Sequence, residues 1–199
     1  MTSAGLLGAV LAGGASRRLG RDKSAERVGA ERMIDRAAAA LRPCCEEVIV
    51  VSSRPETPRG PWSVVPDLRP SSGPLAGIEA ALHRAAEAGS RAVVVLAVDL
   101  PLVDAEAIGV LVAEHEATGR AAAAERDGDP DFEPLCAVYP VESLAVVTEL
   151  LDGGERSARA LFERIGGTRV AVPAAELNVN DEGDLARATR SVSRGPAVR

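Results

Sequence analysis

Short runs of Val, Leu and Ile alternate along the chain with longer Ala-rich stretches whose apolar positions recur at helical spacing. Leu6 to Leu11 predicts a buried strand. Met33 to Leu41 predicts the helix after it, with Ile34, Ala37, Ala38 and Leu41 on one face. Val48 to Val51 is the next strand and, beyond a connection rich in proline (Pro55, Pro58, Pro61), Ser63 to Val65 another. Pro74 stands where a first-turn proline is tolerated, ahead of a helix from Leu75 to Ala88. Ala92 to Val98 is the strongest strand, apolar on both faces as a central parallel strand requires. Asp104 caps a helix that runs to about Ala117. Ala121 to Glu125 and Leu135 to Tyr139 follow as strands, and Val141 to Leu151 and Ala158 to Ile165 as helices. A last strand, Thr168 to Val172, precedes a helix from Asp181 to Arg190, and Ser191 to Arg199 have the pattern of a frayed, disordered tail. This alternation predicts an α/β three-layer sandwich around a mostly parallel sheet, one domain over residues 1–190.

With 199 residues the chain can bury one core, and with two Phe, one Tyr and one Trp that core must be aliphatic. Twenty-three basic against twenty-nine acidic side chains leave a net charge of −6, which argues against nucleic acid as a partner. No apolar run reaches the roughly 18 residues of a membrane span, and Met1 to Val10 lack the basic start of a signal peptide. Cys44, Cys45 and Cys136 have no zinc-site spacing; as buried free thiols they place the chain in a reducing cytoplasm. Lys23 is the single lysine, every other cation being arginine, so it marks a position that asks for a compact ammonium.

In a parallel sheet ligands bind beyond the carboxyl ends of the strands, and three segments fall there. The first runs from Leu11, Ala12, Gly13 and Gly14 to Lys23. Its glycines let backbone N–H groups approach a phosphate, and Arg17, Arg18, Arg21 and Lys23 against Asp22 leave a local charge of +3. It is neither a G-x-x-x-x-G-K-[S/T] phosphate loop, since Arg21 follows Gly20, nor a G-x-G-x-x-G dinucleotide fingerprint. The second is Asp99-Leu100-Pro101, a carboxylate at the mouth of the strongest strand, where Mg²⁺ is the usual partner beside phosphates. The third runs from Asp67 to Gly77, where a Gly-Pro turn leads into a helix whose N-terminal amides face the same crevice.

Together, Leu11-Ala12-Gly13-Gly14, Gly20-Arg21-Asp22-Lys23, Gly73-Pro74-Leu75-Ala76-Gly77, Asp99-Leu100-Pro101 and Asn178-Val179-Asn180 resemble the molybdenum cofactor guanylyltransferases. These are members of the nucleotidyltransferase family that also includes sugar-phosphate pyrophosphorylases. The resemblance runs in order from about Leu7 to Leu185 and implies a Rossmann-like nucleotidyltransferase fold. It implies transfer of GMP from GTP to molybdopterin carrying molybdenum, with release of pyrophosphate, and a molybdoenzyme or delivery chaperone to receive the product. Carried over by position, Leu11, Ala12 and Gly13 line the guanine and ribose pocket, Gly14 is a further nucleotide-binding position, Lys23 contacts the phosphates, and Asp67 the nucleoside. Asp99 holds Mg²⁺ and with it GTP, while Asn178 and Asn180 sit near the pterin phosphate. Gly154-Glu155-Arg156 is similar to the family's late substrate-side segment, which makes Arg156 a substrate-binding candidate. Members often carry Asn after the second strand; Ser52 stands there in this chain and receives no role.

A phosphate nucleophile is already anionic near neutral pH and needs no base, so His83 and His115 read as ordinary helix residues. The barrier is repulsion between anions and the charge on departing pyrophosphate, which Lys23, Arg18 and an ion on Asp99 are placed to neutralise. The competing enzyme readings are a molybdopterin cytidylyltransferase and a sugar-phosphate nucleotidyltransferase. A non-catalytic nucleotide-binding regulator predicts a degraded charged loop, yet Lys23 and Asp99 are both present.

Overall fold

The apolar run Leu6–Leu11 forms strand β1, buried at each of its six residues, and the layers are arranged around it. The computed structural model describes residues 5–13, 23–54, 57–125, 131–172 and 178–193. A small hairpin, Arg27–Val28 (β2) and Glu31–Arg32 (β3), leads into helix α1 (Met33–Leu41). There follow β4 (Glu47–Val51), β5 (Ser63–Val65), α2 (Pro74–Ala88), β6 (Ala92–Ala97) and α3 (Ala105–Thr118). The second half consists of β7 (Ala122–Glu125), β8 (Phe132–Pro140), α4 (Ser143–Asp152), α5 (Ala158–Ile165), β9 (Thr168–Ala171) and α6 (Glu182–Ser193).

Seven strands form one sheet in the order β5-β4-β1-β6-β8-β7-β9. Among the described strands of this sheet β8 alone runs antiparallel to its neighbours, so the sheet is mostly parallel, as the pattern predicts. The direction of β8 has no signature in hydrophobic periodicity, which is the same for either sense.

Alternating residues of each strand point to opposite faces, and the core divides accordingly. Leu6, Val10, Val48, Val50, Val94 and Leu96 pack with α1 and α3 on one side. Leu7, Ala9, Ile49, Val93 and Val95 pack with α2, α4 and α5 on the other. Three layers result. The aliphatic core is completed by one aromatic group, Phe132, Tyr139 and Phe162, with the Phe132 and Phe162 ring centroids 4.7 Å apart.

The predicted cap forms: the Asp104 carboxylate accepts from Ala107 N at 2.9 Å. The final helix runs three residues past the predicted Arg190, to Ser193, and the rest of the expected tail lies outside the described residues. Cys45 and Cys136 are buried and Cys44 is half-buried, all three with free thiols. Burial pushes the Cys45 and Cys136 thiols up to about 12, which keeps them unreactive. No described helix is long and apolar enough to cross a membrane.

Gly8 is what allows α1 to lie close against β1. A Cβ there would stand 3.2 Å from Cys45 Sγ, Leu41 Cβ and Val48 Cγ2, three atoms fixed in the core. Gly8→Val should cost roughly 1–3 kcal/mol through overpacking. Equilibrium denaturation reads it, and a variant as stable as the parent would show that this contact has slack.

Candidate active site

Hydrogen bonding continues past the strand ends, so the loops leave the sheet from fixed points. Ala12 N donates to Val51 O (3.0 Å), Val98 N to Leu11 O (3.1 Å) and Ser52 N to Val65 O (2.9 Å). The carboxyl edge of β5, β4, β1 and β6 thereby borders one cavity of about 710 Å³. Of the residues expected at the site, Leu11, Ala12, Gly13, Asp67, Asp99 and Asn180 line it. Gly14, Arg17, Arg18 and Arg21 lie outside the described residues. Lys23 opens a 3₁₀ turn, Lys23–Ala25, and its side chain is likewise outside them.

Asp67 follows β5, and its carboxylate lies between Gly13 and Gly77. A Cβ at Gly13 would be 3.5 Å from Asp67 Oδ2, and one at Gly77 would be 3.7 Å from Oδ1. With no side chain on either glycine, the carboxylate edge stays reachable from the cavity. Burial pushes the Asp67 carboxyl above its ordinary range, partly offset by hydrogen bonding with Ser53. The Asp67 N–H is satisfied by Ser53 Oγ at 3.1 Å.

The loop after Asp67 is anchored from below. Glu79 of α2, 2% exposed, accepts from Arg69 Nε (3.0 Å) and from Thr148 Oγ1 (3.0 Å), while Arg69 Nη1 reaches Asp152 Oδ1 (2.6 Å). These bonds tie the loop to α2 and α4. Ser71, at φ 66°, is held in left-handed backbone that a serine rarely adopts, and it lines the cavity. Strain of this kind persists where surrounding contacts over-determine it, often beside a ligand. Gly73 has φ 76°, and a Cβ there would meet Arg156 O at 3.1 Å. Arg156 Nη1 donates to Ser71 O at 3.5 Å. Arg156 is exposed and touches Ser71 and Gly73 of the cavity lining without being part of that lining itself.

Asp99 ends the β6 side. Its carbonyl accepts from Val179 N at 2.8 Å, which is what brings Asn178 and Asn180 to the sheet edge from a distant part of the chain. A reciprocal cap fixes that segment, with Asp184 Oδ2 accepting from Asn180 N (2.8 Å) and Asp181 Oδ1 from Asp184 N (2.8 Å). Asn180 faces the cavity, whereas Asn178 Oδ1 is buried with no hydrogen-bond partner among the described residues.

Leu135 also lines the cavity, and the sequence reading missed it. It sits in a bulge: Ala123 pairs with Ala137 while the next residue, Ala124, pairs with Glu133, so Pro134, Leu135 and Cys136 loop out against β7. Tyr139 Oη donates to Pro134 O at 2.8 Å, and Glu133 Oε1 accepts from Leu135 N at 3.2 Å, pinning the bulge. Pro134 inside an apolar run was the available signal, because proline in a strand marks an edge or a bulge. Ser53 and Arg54 were missed as well.

With this geometry in view, similarity to known proteins is decisive. Residues 8–170 match the model of the MobA-like NTP transferase domain. The chain belongs to the MobA-like NTP transferase domain family. It is 43% identical over 154 residues to a probable molybdenum cofactor guanylyltransferase of Opitutus terrae, covering 76% of this chain and 75% of that one. It is 34% identical over 188 residues to a molybdenum cofactor guanylyltransferase of Cereibacter sphaeroides, covering 92% and 95%. Its fold matches the crystal structure of molybdopterin-guanine dinucleotide biosynthesis protein A from Archaeoglobus fulgidus with a TM-score of 0.78. That match has 26% identity and covers 94% of this chain and 99% of the other. In this MobA-like chain the matched region holds most of β1, all of β2 to β8 and most of β9, hence Asp67 and Asp99, while Asn178 and Asn180 lie beyond it.

The raised Asp67 carboxyl has a consequence for stability. The native state keeps its proton to higher pH than the unfolded chain, so this group's contribution falls as pH rises through that window and stays unfavourable above it. Asp67→Asn should therefore melt above the parent at neutral pH and lose that advantage near pH ~3, below the ordinary carboxylate range. Melting curves across pH check this; equal melting at neutral pH would contradict the burial cost.

Proposed function

We propose that the protein is a molybdenum cofactor guanylyltransferase, joining the GMP part of GTP to the phosphate of molybdopterin carrying molybdenum and releasing pyrophosphate. The observation that carries this is one cavity holding Asp67 and Asp99 on separate strand ends, in a chain 34–43% identical to proteins named for that activity. A phosphate oxygen of the pterin attacks the α-phosphorus of GTP, a new P–O bond forms, and the bond to the β-phosphate oxygen breaks. No general base is required, and neither histidine is placed as one: His83 is exposed on α2, and His115 Nδ1 is bonded to Arg120 O at 2.7 Å.

The chain's own residues orient the reactants. Gly13 and Gly77 keep side chains away from the Asp67 carboxylate, which takes the nucleoside. Asn180 and Leu135 border the β6–β8 side, where the pterin would enter. Asp99 suits Mg²⁺, because that ion is commonly held by one or two carboxylates with phosphate oxygens and water completing its shell. No group of three His, Cys, Asp or Glu among the described residues forms a metal cage without substrate. When bound, the ion supplies positive charge to the triphosphate and the departing pyrophosphate. Lys23 and Arg18 belong to the same electrostatic role. Free thiols at Cys44, Cys45 and Cys136 suit a reducing compartment, the cytoplasm, and delivery to a molybdoenzyme or its chaperone follows from the product.

Pyrophosphate release from each nucleoside triphosphate, with molybdopterin, molybdate and Mg²⁺, tests the reading. GTP should exceed CTP at least about tenfold in kcat/KM, since a site bonded to a purine leaves groups unpaired around cytosine. Asp99→Asn should melt like the parent and lose on the order of 100-fold in rate. Equal use of CTP would move the chain to the cytidylyltransferases, and full activity in Asp99→Asn would remove the metal assignment.

A further inference from the structure

Among the described residues Arg54 is the one cation lining the cavity. It follows β4, whereas Asp99 follows β6, and β1 lies between them, so the two loops start about 10 Å apart across the sheet edge. The backbone of Arg54 is held on both sides by a pair of inward hydroxyls. Its N–H donates to Ser52 Oγ (3.2 Å), and its carbonyl accepts from Thr57 Oγ1 (2.8 Å) and Thr57 N (3.2 Å). Thr57 Oγ1 lies 2.7 Å from Ser52 Oγ, and Ser52 is only 3% exposed. Ser52 thus does not reach the cavity itself. It builds the turn that presents the next two residues, Ser53 and Arg54, to it.

The half of the cavity away from Asp99 therefore offers one carboxylate, Asp67, and one guanidinium, Arg54, and these are the two chemistries that a guanine ring requests. Its N1–H and N2–H donate, and its O6 and N7 accept in the spacing of an arginine fork. We propose that Arg54 determines nucleobase specificity by donating to O6 and N7 of the guanine, opposite the Asp67 carboxylate. Adenine carries an amino group in place of O6 and would put a donor against that fork. The inference rests on GTP being the substrate and adds the residue that reads its base.

Binding isolates the contact from turnover. Dissociation constants for GTP and 7-deaza-GTP, which lacks the N7 acceptor, are measured by calorimetry with Mg²⁺ on the parent, Arg54→Ala and Arg54→Lys. The parent should bind 7-deaza-GTP about fivefold more weakly than GTP. Arg54→Ala should bind GTP about tenfold more weakly and no longer distinguish the two nucleotides. Arg54→Lys, which keeps the charge without the fork, should not restore either property. Losses that multiply in Arg54→Ala, or full restoration by Arg54→Lys, would overturn the assignment and leave Arg54 as a general attraction for phosphate. Pyrophosphate release by the parent tests the transferase reading separately: its failure beside intact 7-deaza discrimination would remove the transfer reaction and support Arg54 as a guanine contact.

Discussion

Two backbone hydrogen bonds carry the β-ladder one residue beyond the strands, from Val98 N to Leu11 O and from Ala12 N to Val51 O, and the site depends on them. They fix where the loops after β1, β4 and β6 leave the sheet, and the bond from Ser52 N to Val65 O does the same for the loop after β5, so Asp67 and Asp99, far apart in sequence, line one cavity. A parallel sheet makes this possible because strands running the same way deliver their loops to one edge. Gly8 and the aliphatic faces of β1 hold the strand rigidly in place between two helical layers.

The loop that carries Asp67 needs separate support, and an ion pair between the half-buried Arg69 and the buried Glu79 supplies it. Glu79 is held by both Arg69 and Thr148, and Arg69 is held again by Asp152, so the chain between β5 and α2 is clamped to two helices. This clamp accounts for Ser71 remaining in left-handed backbone beside the cavity. On the opposite side, the bulge at Pro134 and the cap at Asp184 set Leu135 and Asn180 in the wall. The β5–β4 side and the β6–β8 side of the cavity are thus built by different local devices around a common strand.

Where structure follows from period and punctuation, it was legible in the residues. β1, α1, β5 and α5 begin and end where alternation, Gly and Pro put them, and Asp104 caps α3. Asp99 and Asp67 could be read as candidates, and both line the cavity, because they stand just past strand ends. The resemblance to guanylyltransferases was needed for Asn178 and Asn180, since only the tertiary bond from Val179 to Asp99 brings them in. Leu135 escaped because a bulge changes which face a residue takes, and Arg54 because its turn is made by hydroxyl pairing between Ser52 and Thr57, which leaves no hydrophobic pattern. The hairpin β2–β3 is two residues per strand and too short for periodicity to show.

The proposed function divides one sheet edge, with the base held by the β5–β4–β1 side and the phosphates by the β6 side. A crystal structure with GTP and Mg²⁺ tests it most directly. The guanine should lie between Asp67 and Arg54, against Gly13 and Gly77, with the triphosphate directed toward Asp99. A nucleotide bound in the reverse sense, with its base beside Asp99 and Asn180, would contradict it.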